Sequence, residues 1–95
     1  MDKIATLKSE RATRYMTALC HHFGRKVGAS CDDASGWVQF PFGRCEMSVE
    51  GTELHLHAQA EDPDRLERVV QIVSSHLDRF AFRENPELNW QPAGK

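Results

Sequence analysis

Five histidines and three cysteines are the side chains of this 95-residue chain best equipped for chemistry. His55 and His57 stand two apart. On a strand their side chains would share one face, with Cα atoms about 6.5–7 Å apart. Two imidazoles at that spacing can chelate one transition-metal ion. A pair alone makes a weak site, so a third ligand is needed, such as Glu46 on a neighbouring strand or a residue of a partner chain. The plainer reading is a solvated sheet face carrying two titrating histidines. His76 falls at the margin of a buried helical stripe, where an imidazole needs a hydrogen-bond partner: a backbone carbonyl, Tyr15 or Cys45. In a cleft between helix and sheet it would serve as a ligand or a general base. His22 flanks the stripe of another helix, and His21 points away from it. His76, Cys45, His22 and Tyr15 are therefore the candidate cleft residues. Cys20 and His22 diverge by about 200° on a helix and cannot hold one ion together.

Other chemistry is harder to find. The chain has no GxxxxGK[ST] phosphate loop, GxGxxG, HExxH or GxSxG pattern, so catalysis is the minority expectation. Twelve Lys and Arg against fourteen Asp and Glu give a net charge of −2, which disfavours a nucleic-acid partner. Arg25, Lys26 and Arg44 follow Phe23-Gly24 and Phe42-Gly43. They form a small basic patch if the two ends meet, with Trp37 available for stacking, but Glu46, Glu50 and Glu53 lie on the same face as Arg44. Cys20, Cys31 and Cys45 are an odd set without a CxxC pair, which suits a reduced, cytoplasmic protein in which each packs as a small hydrophobe. Apolar runs are too short for a membrane-spanning helix, and no signal-peptide stretch opens the sequence.

The elements that must position these groups follow from periodicity. Residues 3–8 read as a first strand. Ser9 is placed as a helix N-cap, and Ala12, Tyr15, Met16, Leu19, Cys20 and Phe23 then form one stripe at 100° per residue. The spacing predicts a helix over 9–23, ended by Gly24 in the left-handed conformation. Val27, Ala29 and Cys31 alternate as a strand, and residues 32–36 form a turn. Val38, Phe40 and Phe42 share a face of the next strand, with Pro41 marking an edge, a bulge or the strand's end. Cys45, Met47 and Val49 face inward, as do Leu54, Leu56, Ala58 and Ala60 after a tight connection at 50–53. Asp62-Pro63 starts a second helix, whose stripe is Leu66, Val69, Val70, Val73, Leu77 and Phe80. Its end is expected between Arg79 and Arg83, followed by an Asn85-Pro86 break, a possible strand at 87–90 and a frayed tail over 91–95.

The predicted order is β-α-β-β-β-β-α in one domain, 1–95. Two striped helices can cover the dry face of one antiparallel sheet of four to six strands, a two-layer α+β sandwich. That order is similar to the TATA-binding-protein-like architecture.

Several stretches together carry a family likeness. They are Arg14-Tyr15, Leu19-Cys20-His21-His22-Phe23, Phe42-Gly43-Arg44-Cys45 and, above all, the run His76-Leu77-Asp78-Arg79-Phe80-Ala81-Phe82-Arg83-Glu84, with Trp90 beyond it. Over roughly residues 5–91 the chain resembles the bacterial domain of unknown function 2218 family. The resemblance implies no established activity, cofactor or site residue. It implies a bacterial protein, and an association of some members with siderophore-interacting flavoproteins points toward iron handling. The expected function is a small binding or accessory domain, linked to iron or siderophore metabolism. A protein-interaction or homodimerisation module is the alternative, and a small enzyme using His76 comes third. No cofactor is required, and a transition metal is the one considered.

Overall fold

A computed structural model of the protein describes residues 1–80 and 88–93. The elements run β1 (Asp2–Lys8), α1 (Ala12–Phe23), β2 (Gly28–Cys31), β3 (Ser35–Phe40), β4 (Gly43–Glu50), β5 (Glu53–Gln59), α2 (Pro63–Phe80) and β6 (Gln91–Pro92). All the strands join one antiparallel sheet in the order β2-β3-β4-β5-β1-β6. The α+β architecture expected from periodicity is the one observed.

One face of this sheet is dry. Alternate residues of the central strands, Val38, Phe40, Cys45, Met47, Leu54, Leu56 and Ala58, are buried together with Ala5 and Leu7 from β1. The helices supply the other half of the core: Tyr15, Met16, Leu19 and Phe23 from α1, and Leu66, Val69, Val70, Val73 and Leu77 from α2, in one cluster with the sheet residues. Each fully buried Leu, Met or Val contributes about 1.5–3 kcal/mol of burial free energy. The register places His57 opposite Glu46 and Ile4, and His55 opposite Ser48 and Thr6. Polar residues are thereby sorted onto the other face.

Local chemistry sets most boundaries as expected. Asp62 Oδ1 accepts the Arg65 amide at 2.8 Å, so the Asp-Pro start caps α2. Gly51, at the first position of the two-residue β4–β5 turn, has φ 58°, a left-handed value suited to glycine. Asp32 Oδ1 accepts the amides of Ala34 and Ser35 in the β2–β3 turn.

Other boundaries differ. α1 starts at Ala12, not Ser9. The amide of Ser9 donates to the Thr52 carbonyl, which holds Ser9 against the β4–β5 turn, and its hydroxyl accepts the Arg11 amide in a tight turn ahead of the helix. Gly24 is right-handed, with φ −63° and ψ −13°, because helical hydrogen bonding runs on: its amide donates to Cys20 and that of Val27 to Phe23. β3 stops at Phe40. Pro41 and Phe42 form the two-residue connection to β4, and the Phe42 ring stacks on Phe40 at 5.2 Å. The last strand is Gln91–Pro92, within the stretch expected to fray, because Lys3 and Ile4 offer it an open edge of β1. The Ala81–Arg83 part of the expected helix end, Phe82, Glu84, Asn85-Pro86 and Glu87 lie outside the described residues, as do Gly94 and Lys95.

At Gly43 the sheet and α2 approach closely. A Cβ there would stand 2.6 Å from the Gln59 carbonyl oxygen and 2.7 Å from Val69 Cγ2. Gly43→Ala is expected to destabilise the protein by about 1–3 kcal/mol, read as a lower urea midpoint at constant slope. An unchanged midpoint would mean that α2 is not seated on β4 there.

Candidate functional site

Among the described residues no element covers the side of the sheet away from the helices, and the residues of that side form rows across the strands. One row runs Trp37, Glu46, His57 and Ile4, and the next runs Ser35, Ser48, His55 and Thr6. A third brings Gln39, Arg44, Gln59 and Asp2 together at one end. Strand alternation produces this sorting, since the same strands spend their other residues on the core.

Nearly every ionisable group on the face has a neighbour of opposite sign. His57 Nε2 lies 2.7 Å from Asp2 Oδ2. His55 has Thr6 Oγ1 at 3.2 Å from Nδ1, while Nε2 sits 3.4 Å from Glu50 and 3.3 Å from Glu53. Those carboxylates are near enough to attract the ring but are not aligned as acceptors, so His55 Nε2 is left without a hydrogen bond. The two expected metal ligands thus share a face, each with its own acidic neighbours. Glu46, the suggested third ligand, stands opposite His57 but takes Arg44 Nε at 3.2 Å. Among the described residues, no group of three or more His, Cys, Asp or Glu is arranged to hold a metal ion.

Arg44 organises the end of the face. Its guanidinium carbon lies 4.7 Å from the centre of the Trp37 ring, a cation–π geometry, and Nη1 reaches Gln39 Oε1 at 3.3 Å. A hollow of about 520 Å³ opens beside it, lined by Gln39, Phe42, Arg44, Gln59, Arg65 and others. A second, of about 380 Å³, lies across Trp37 and is bordered by Cys31, Asp32 and Glu46. Both volumes are in the range of small-molecule sites.

The candidate cleft residues divide into two pairs. His22 and His76 meet across the seam between the helices, ring centres 4.5 Å apart, with Phe23 packed 4.7 Å from His76. The partner of His76 is the backbone carbonyl of Ile72 in its own helix, 2.7 Å from Nδ1. Tyr15 and Cys45 are in the core instead, 5% and 0% exposed. Cys45 lies between Val38 and Ala58 in the ladder, and burial pushes its thiol up to about 12. Arg25 and Lys26 act on His22 at the end of α1, whereas Arg44 is on the sheet face.

Two features of the site have a signal in the sequence. Asp2 shares the alternation of Ile4 and Thr6, so starting β1 one residue earlier places it with the histidines. Trp37 and Arg44 both face outward on adjacent strands, and the Pro41-Phe42 turn fixes the register that joins them. The His22–His76 pairing depends on how the two helices cross, which no local pattern encodes.

Fold and face together define a small two-layer α+β protein with one bare, polar sheet surface. The family model described as an uncharacterized protein conserved in bacteria, DUF2218, matches residues 4–91, and the chain belongs to that family. It is also similar to the protein in the NMR structure of PA4090 from Pseudomonas aeruginosa. The two share 29% identity over 99% of this chain and 98% of that one, with a TM-score of 0.82. No curated protein matches the chain. Among the described residues no helix is long and apolar enough to cross a membrane.

The helix seam gives a pH prediction. Partial removal of water, followed by His76, Arg25, Lys26 and Arg79, lowers the pKa of His22 below its ordinary 6.5. A depressed histidine pKa means that the unfolded chain takes up the proton first. The contribution of His22 to stability is therefore full above pH 6.5 and declines as the pH falls below it. The melting temperature should drop between pH 7 and pH 5.5, and drop less in His22→Gln. Parallel curves for the two proteins would contradict the assignment.

Proposed function

We propose that this protein acts by binding, and that the bare sheet face is its contact surface. The observation that carries the reading is the Trp37–Arg44 pair between two hollows. It combines an aromatic ring and a cation on rigid strands, beside the amides of Gln39 and Gln59. A flat or anionic organic molecule is the ligand class that such a pair suits. Nucleic acid suits it less, because Asp2, Glu46, Glu50 and Glu53 share the face with Arg44 and Lys8.

The finer reading is an accessory role in iron or siderophore metabolism. Its support is the family association together with this chemistry, since siderophores carry planar or acidic iron-binding groups. Titration of the protein with ferric and iron-free catecholate and hydroxamate siderophores should quench Trp37 fluorescence. Trp90→Phe removes the other tryptophan, and Arg44→Gln should weaken binding at least tenfold. No quenching by any of them would remove the siderophore reading. If light scattering instead showed a dimer that Trp37→Ala dissolved, the face would be an interaction surface between copies.

His55 and His57 remain the metal candidates on this face, with Asp2, Glu50 and Glu53 as their neighbours. Because no three-ligand group forms among the described residues, the site needs a ligand from elsewhere; if it holds an ion, loading with zinc, copper or iron followed by metal analysis gives stoichiometric binding that is lost in both His55→Ala and His57→Ala. Metal retained by either variant, or none bound by the parent protein, would discard that site.

A further inference from the structure

Cys20 and Cys31 are eleven positions apart in sequence, near the end of α1 and at the end of β2. The turn between those elements folds β2 back against α1 and makes the two thiols electrostatic neighbours. The Cys20 thiol also donates to the neighbouring Ser30 carbonyl at 3.5 Å. Their exposures differ. Cys20 is 5% exposed, while Cys31 is half-buried at the end of the edge strand β2. Opposite Cys31 in the ladder is Gly36, where a Cβ would come within 2.5 Å of Cys31 Cβ. A glycine at that position leaves the space that Cys31 occupies. The third thiol, Cys45, is fully buried and turned toward the Glu46 carbonyl at 3.8 Å.

We propose that Cys20 and Cys31 form an intramolecular disulfide site that a hydroperoxide closes, Cys31 being oxidised first and Cys20 resolving it. In the first step the Cys31 sulfur takes one oxygen from the peroxide. The O–O bond breaks, the alcohol or water leaves, and a sulfenic acid remains. In the second step the Cys20 sulfur attacks the Cys31 sulfur and the S–O bond breaks. The hydroxyl departs with the Cys20 proton as water. Two electrons pass from the two thiols to the peroxide, and closure shortens the sulfur contact to about 2.05 Å. Access sets the order, since Cys31 stands half-buried on the edge strand β2 and the core encloses Cys20. Burial and the adjacent Cys31 raise the Cys20 thiol to about 12, so less of it is thiolate than in a free cysteine.

The test is peroxide treatment of the reduced full-length chain, alkylation after denaturation, and mass spectrometry. The expected result is a monomer carrying one alkyl group and about 2 Da lighter than the reduced chain with that one group, with tryptic peptides 15–25 and 27–44 linked and Cys45 alkylated. Cys45→Ala should form the same link. In Cys20→Ala, Cys31 should persist as a sulfenic acid trapped by dimedone. A link that includes peptide 45–65, a product consisting only of covalent dimer, or Cys31 oxygenated while Cys20 stays alkylatable would each overturn the proposal. The wild-type peptide map decides the question even if a buried variant folds poorly.

Discussion

Burial of the β4 and β5 inner residues against the stripes of α1 and α2 is the interaction on which the molecule depends. Leu54, Leu56, Cys45 and Ala58 are at most 1% exposed, as are Met16, Leu19, Val69 and Leu77. A strand alternates its side chains, so fixing one face also fixes the other. Once Leu54 and Leu56 are committed to the helices, His55 and His57 must point the opposite way. The polar surface is therefore a by-product of core packing, and a one-residue slip of β5 would exchange the two.

This constraint explains what was legible in the sequence. The helix stripes and the strand alternation state which residues are apolar at which period, and these are the quantities that core burial selects. The Asp62-Pro63 start and the Gly51 turn were legible because each involves a local backbone requirement. The start of α1 was not, because Ser9 is held by Thr52, more than forty positions away. Gly24 departs from expectation for a related reason: a left-handed ending is the common use of glycine after a helix, but here helical hydrogen bonding runs on past a right-handed Gly24 toward β2. β6 depends on an available edge of β1, which strand propensity does not describe.

The candidate sites follow the same division. That His55 and His57 share a face is a consequence of period two and needed no structure. That each has separate acidic neighbours depends on Asp2 coming from the first strand and on Glu50 and Glu53 flanking the hairpin. His76 required a partner by burial alone, and the fold supplies a carbonyl one helical turn back. Cys45 and Tyr15 belong to the inward stripes that the sequence already assigned them, which is why they lie in the core and not beside His76.

The pairing of β6 with β1 has a topological consequence. Ala93 donates its amide to the carbonyl of Asp2, and the Met1 amino group donates to Ala60. The first and last strands are thus neighbours, and a short linker between residues 93 and 2 would turn the backbone into a closed ring. The ring could be reopened at the exposed Gly51-Thr52 tip without cutting any ladder, giving a permuted chain with the same layers. Its new ends would emerge at the far margin of the sheet, leaving the corner with Arg44 and Gln59 clear of any attached tag.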